Sequence, residues 1–174
     1  MIDLENGVFM EQVEDLVERK RWPALRDMLS LLEPADIALI LSQLPGDRLP
    51  LLYRLLPKEL AAEVFVEMEP EEQELLIKSF SDTELREVLE ELYVDDTVDL
   101  IEEMPATVVK RILKHTDPET RRSVNEILKY PEDSAGSIMT TEFVDLKRDM
   151  TVEDAFKRIR RTGVDKETIN ICYV

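Results

Sequence analysis

Cysteine is almost missing from this sequence: Cys172 stands alone among 174 residues. One thiol permits neither an internal disulfide nor a cysteine-rich zinc site. It lies in an apolar run and reads as a buried, inert thiol, in keeping with a reducing cytoplasmic setting. Histidine also occurs once. His115 falls near a predicted helix end and reads as an exposed or capping side chain rather than a catalytic base. Long hydrophobic runs are absent. The longest uncharged stretches, such as Ile37 to Gly46, hold about ten residues, whereas a spanning helix needs roughly 20 apolar ones. The opening Met-Ile-Asp-Leu-Glu-Asn is acidic and has no signal-peptide pattern. No Gly-rich phosphate loop, Cys/His cluster or nucleophile with a histidine base can be found, so an enzyme is the last of the readings.

Basic residues are scarce where acids are dense. The net charge is −17, from 39 acids and 22 bases. Residues 57–104 hold 17 of the acids and 3 of the bases, while residues 105–174 are close to neutral. Such a surface repels phosphate backbones, which argues against nucleic-acid binding. It attracts cations and basic partners, or simply keeps the protein soluble.

A repeat organises most of the chain. Units of twelve residues begin at Glu33, Pro45, Pro57, Glu69, Ser81, Tyr93, Pro105 and Asp117. Their eighth positions are Ile40, Leu52, Val64, Leu76, Val88, Leu100, Ile112 and Val124, all aliphatic. Positions five, eight, nine and twelve follow the spacing i, i+3, i+4, i+7, which is one apolar stripe on a short helix. The unit beginning at Arg21 also fits, through Leu25, Met28, Leu29 and Leu32. Pro34, Pro45, Pro57, Pro70, Pro105 and Pro118 fall at unit starts, where proline ends one helix and is tolerated in the first turn of the next. Ser81 to Glu84 and Thr116 to Glu119 read as capping boxes, and Asp47 as the N-cap that places Pro50 in a first turn. Trp22 is expected to pack at the N-terminal end, and Met68 and Met104 to lie in the core.

Helices of two turns are unstable alone and must bury their stripes on their neighbours. The expected fold is therefore all-α: a right-handed superhelix of about ten short helices over residues 1–129. Residues 130–142, with Pro131 and Gly136, read as a linker or a short connecting helix. Beyond them Phe143 to Leu146 reads as a strand and Thr151-Val-Glu-Asp as a helix start. That helix carries Val152, Ala155, Phe156 and Ile159 on one face and can end at Gly163. Thr168 to Val174 reads as a second strand. One helix on two strands buries too little to stand alone, so residues 143–174 are expected to be an incomplete module.

Leu32-Glu-Pro-Ala-Asp-Ile-Ala, Leu55-Leu-Pro, Ala61-Ala-Glu-Val, Tyr93-Val-Asp-Asp-Thr-Val-Asp-Leu and Tyr130-Pro-Glu-Asp-Ser-Ala-Gly-Ser-Ile-Met-Thr together resemble the amino-terminal region of MgtE magnesium transporters. The last motif, with Met150-Thr-Val-Glu-Asp-Ala, is similar to the start of the first of two tandem CBS modules. The resemblance implies a homodimer at the cytoplasmic face of the bacterial membrane. Each subunit would carry a helical N domain, a CBS pair and a transmembrane pore. It also implies regulatory magnesium between the N and CBS domains, closing the pore when cytosolic magnesium is high. On this resemblance Glu63, Asp95 and Asp99 are the metal ligands, with their partner carboxylates in segments this chain does not contain.

The residues themselves allow that role and a plainer one. Asp95 and Asp99 are i, i+4, so their carboxylates share a helix face, and magnesium often takes only one or two carboxylates while keeping its waters. Asp95 and Asp96 equally suit a helix N-terminus without any ion. Glu67, Glu71, Glu72, Glu102 and Glu103 add negative potential. The alternative function is a non-catalytic scaffold for a basic protein.

Overall fold

The computed structural model describes residues 8–131, 134–164, 166 and 168–174. Among them are eleven helices and two strands. The helices are α1 (Val8–Glu18), α2 (Trp22–Leu29), α3 (Pro34–Ser42), α4 (Leu49–Tyr53), α5 (Lys58–Val66), α6 (Pro70–Ser79), α7 (Asp82–Leu89), α8 (Val94–Glu103), α9 (Ala106–His115), α10 (Pro118–Ile127) and α11 (Val152–Thr162). The strands are β1 (Phe143–Asp145) and β2 (Thr168–Tyr173). Ten short helices followed by a β-α-β piece are the architecture that the twelve-residue period and the later change of pattern predict.

The stripe residues form the core. At the eighth position seven of the eight side chains are buried, Val88 being half-buried. Twelfth-position Leu44, Leu56, Met68, Phe80, Leu92 and Met104 are buried as well. Leu128, the last of that series, is exposed. Polar stripe residues bury their backbone-directed groups with partners. Gln73 donates from Nε2 to the Phe65 carbonyl at 2.8 Å, and Thr97 donates from Oγ1 to the Tyr93 carbonyl at 2.9 Å. Trp22 opens α2 and is half-buried.

The chain divides into two compact units: residues 1–91 with 104–115, and residues 92–103 with 116–174. In the first unit, α3 packs on α5, α5 on α7 and α7 on α9, while α4 packs on α6. A unit of one short helix and one tight turn sends alternate helices back alongside each other, which is what a twelve-residue period requires. Two arginines hold the end of α6. Arg54 donates from Nη2 to the Ser79 carbonyl at 3.1 Å. Arg111 donates to the Ile77 carbonyl and, at 2.6 Å, to the Phe80 carbonyl. Helix ends leave carbonyls without intrahelical partners, and these guanidinium groups supply donors for them.

The second unit packs α8 on α10 and pairs β1 with β2 in parallel. Phe143 aligns with Thr168 and Asp145 with Tyr173, with a register irregularity between the two pairs. Parallel pairing of two strands joined through a helix is the expected βαβ geometry. Arg158 on α11 pairs with Asp145 at 2.5 Å and holds that carboxyl below its ordinary value, chiefly through the hydrogen bond it donates. No residue of α11 is buried: Val152 and Phe156 are 74% and 54% exposed. Two strands offer too little surface to cover the helix's apolar face.

Several local expectations need correction. Ser81 forms the full capping box with Glu84, but at α10 the cap is Asp117, not Thr116, accepting from the Glu119 and Thr120 amides at 2.8 and 3.1 Å. Thr116 is buried instead. Asp47 does not cap α4, whose N-cap is Arg48 with no side-chain hydrogen bond. His115 is buried, not exposed, because Val108, Ile112 and His115 share one face of α9 at spacings of four and three. Cys172 is half-buried rather than buried, as befits a strand in a two-stranded sheet. In the 130–142 segment Ser134 to Ile138 form bends and turns, and a Cβ at Gly136 would enter the Tyr130 ring. The Glu132 and Asp133 of that motif lie outside the described residues.

Candidate functional site

Helix α8 carries the densest set of expected site residues. Val94, Thr97, Val98, Leu100 and Ile101 are buried, which fixes the helix rotationally. Asp95 and Asp96 are half-buried and Asp99 is exposed. One Asp95 carboxylate oxygen, Oδ1, is shielded from solvent. Asp95 and Asp99 occupy successive turns of α8, as the i, i+4 spacing requires. Glu63 lies on α5, exposed between the buried Ala62 and Val64. The seventh position of the repeat thus puts Glu63 and Asp99 on the solvent side of their helices.

The donor chemistry suits a hard divalent cation, since carboxylate oxygens are what magnesium takes. Among the described residues, however, no group of three or more His, Cys, Asp or Glu side chains converges in a way that could hold a metal ion. Asp95 and Asp99 could contribute two ligands to an ion, with the remainder supplied by water or by groups elsewhere. Glu102 and Glu103 at the end of α8 are exposed and add negative potential.

One site contact had no sequence signal. The N-cap position of α8 is Tyr93, a residue whose side chain cannot act as the usual short capping group. The Val94 amide instead donates to Oε2 of Glu142 at 2.8 Å, 48 residues away in sequence. A pairing over that separation has no local pattern to announce it. Among the described residues no helix is long and apolar enough to cross a membrane.

Elsewhere two acidic residues of α7 have structural partners. Glu84 accepts from Arg54 and from the Ser81 amide, and these bonds pull its carboxyl from 4.5 down to about 2. Asp82 faces Arg111 at 3.2 Å, His115 Nε2 at 3.4 Å and Lys114 at 3.9 Å. Its carboxyl is held below the ordinary value, first of all by the Arg111 hydrogen bond.

These features define an acidic helical-repeat region followed by a β-α-β piece. The family described as "MgtE intracellular N domain" matches residues 32–133, more than half of the sequence, and the chain belongs to that family. It is 39% identical over 155 residues to "Magnesium transporter MgtE" of Thermus thermophilus, a match covering 87% of this chain and 34% of that protein. To "Magnesium transporter MgtE" of Bacillus subtilis it is 25% identical over 174 residues, covering 98% of this chain and 39% of that protein. The chain therefore spans between a third and two-fifths of the curated relatives it matches. The fold is similar to the crystal structure of the cytosolic domain of the Mg2+ channel MgtE in complex with ATP, with TM-score 0.84, 36% identity, and coverage of 95% of this chain and 68% of that one. It also resembles the soluble part of a magnesium transporter, with TM-score 0.80 and 23% identity, over 95% of this chain and 65% of that one.

Proposed function

We propose that this region is the cytoplasmic magnesium sensor of a membrane magnesium transporter or channel, and that Asp95, Asp99 and Glu63 contribute carboxylates to regulatory Mg2+ bound between an N domain and CBS modules. In this reading residues 1–129 are the N domain, residues 130–142 the linker and residues 143–174 the beginning of the first CBS module. The transporter is a homodimer at the bacterial cell membrane, and this region touches the membrane only through its pore domain. It catalyses no reaction.

The observation that carries the reading is the pair Asp95 and Asp99 on a helix held by five buried neighbours, in a chain whose family relatives bear the name of magnesium transporters. Like charges at i, i+4 cost about 0.2–0.5 kcal/mol, and a divalent cation removes that cost. Bringing a second acidic surface close raises the cost further, so ion binding and domain closure favour each other.

The test is the Asp95→Asn, Asp99→Asn double variant of the full-length transporter, titrated with magnesium at constant ionic strength while protease protection is followed. The expected result is a several-fold higher magnesium midpoint, or incomplete protection, in a normally folded protein. An unchanged midpoint would refute the role of these aspartates. The second reading, a scaffold for a basic protein, rests on the acidity of residues 57–104. It expects salt-sensitive binding of a basic partner that both aspartate substitutions weaken regardless of magnesium.

A further inference from the structure

The geometry points to Glu142 as a latch: its carboxylate caps helix α8 from outside and ties the β1-α11-β2 piece to the helix that carries Asp95 and Asp99. The inference deepens the magnesium-sensing reading and rests on it for the role of α8, though the contact itself does not.

Three features make Glu142 a positioning residue. Its Oε2 accepts from the Val94 amide at 2.8 Å, at a helix start whose N-cap residue, Tyr93, brings no short acceptor side chain of its own. Its backbone is set by the segment just before β1, where the Glu142 amide donates to Thr140 Oγ1 at 3.1 Å. Val144, two residues on, is only 2% exposed and anchors the strand. Holding Glu142 at α8 therefore holds β1, and through the parallel pairing it holds β2.

The latch is also opposed. The amide dipoles at the start of α8 attract the Glu142 carboxylate, but the same first turn carries Asp95 and Asp96. Their repulsion offsets part of that attraction. A cation on Asp95 and Asp99 would offset the repulsion and tighten the contact, so that ion occupancy of α8 is passed to the β1-α11-β2 piece. A glutamine at position 142 keeps an oxygen acceptor and lacks the charge, so it should stay docked whether or not an ion is present.

Amide hydrogen exchange of the 174-residue chain, measured by NMR first without divalent metal, tests this. Glu142→Ala should accelerate exchange of the Val94 amide by about twofold to thirtyfold, the range for losing a helix cap. The Ile112 amide in the core should not change. Glu142→Gln should restore most of the Val94 protection. In the full-length transporter, which supplies the other ligands, added Mg2+ should raise protease protection of the β1-α11-β2 piece in the wild type and change it less in Glu142→Gln. Unchanged Val94 exchange in Glu142→Ala overturns the proposal, as does equal acceleration at Val94 and Ile112, or failure of Glu142→Gln to rescue. Mg2+ that protects the full-length wild type and its Glu142→Gln variant equally overturns the coupling to the ion; an unchanged magnesium midpoint in the Asp95→Asn, Asp99→Asn transporter overturns the ion-sensing reading instead, and the metal-free comparison still decides the latch.

Discussion

Replacing Glu84 by Gln should destabilise the first unit by about 1 kcal/mol at pH 7, and that difference should shrink in acid. Glu84 is the third residue of α7 and serves two partners. Oε2 accepts from the Ser81 amide at 2.8 Å, completing the capping box. Oε1 accepts from Arg54 Nε at 2.5 Å, joining α7 to the residue after α4. These bonds lower the carboxyl from 4.5 to about 2, with Arg54 the largest cause. Without screening, that lowering would correspond to about 3.4 kcal/mol at 1.36 kcal/mol per unit. The two side chains are 40% and 35% exposed, so water screens the pair and only about a third of that value should be realised. A carboxyl whose pKa is depressed on folding stabilises the native state above its unfolded pKa, and the contribution fades as pH falls through the folded value. The window here runs from about 4.5 down to about 2. Urea unfolding of wild type and Glu84→Gln at pH 7 and pH 3 reads the difference directly, because other carboxylates titrate alike in both proteins. The gap should fall to less than half at pH 3. A gap that stays constant between pH 7 and pH 3, or a Glu84 carboxyl that titrates near 4.5 by NMR, would refute the reasoning.

Ile112 is fully buried on α9, and Ile112→Ala should cost about 2–5 kcal/mol in urea unfolding; a cost below 1 kcal/mol would mean the site collapses around the smaller side chain. Asp117→Ala removes the acceptor for the Glu119 and Thr120 amides, which should cost about 1 kcal/mol at neutral pH. Because Asp117 is held below 3.8, first by the Thr120 side-chain hydrogen bond, that loss should disappear as pH falls below this value. Gly163→Ala would bring a Cβ to 2.7 Å from the Ile159 carbonyl oxygen and 2.8 Å from Ile169 Cγ2; since a backbone oxygen cannot step aside, faster amide exchange in β2 is expected, with the first unit unchanged.

The sequence by itself determined the helices and their inward faces. A twelve-residue apolar stripe punctuated by proline has one solution, a short helix per unit with the stripe buried, because two helical turns cannot persist unless neighbours cover them. It also fixed Asp95 and Asp99 on one helix face, since the 3.6-residue turn sets that geometry locally, and it marked Ser81 and Thr151 as caps. Where the pattern was ambiguous by one residue, as at Thr116 and Asp117, only backbone geometry chose: Asp117 is extended and reaches the next turn's amides. Tertiary structure alone decided the contacts between residues far apart. Arg54 and Arg111 reach the carbonyls at the end of α6, and Glu142 caps α8. Each depends on where separate elements come to lie, and a long polar side chain carries no periodic signal that names its partner. The candidate ion site divides in the same way: the local spacing supplies two carboxylates, and the other ligands of an ion depend on whatever surface folds against them.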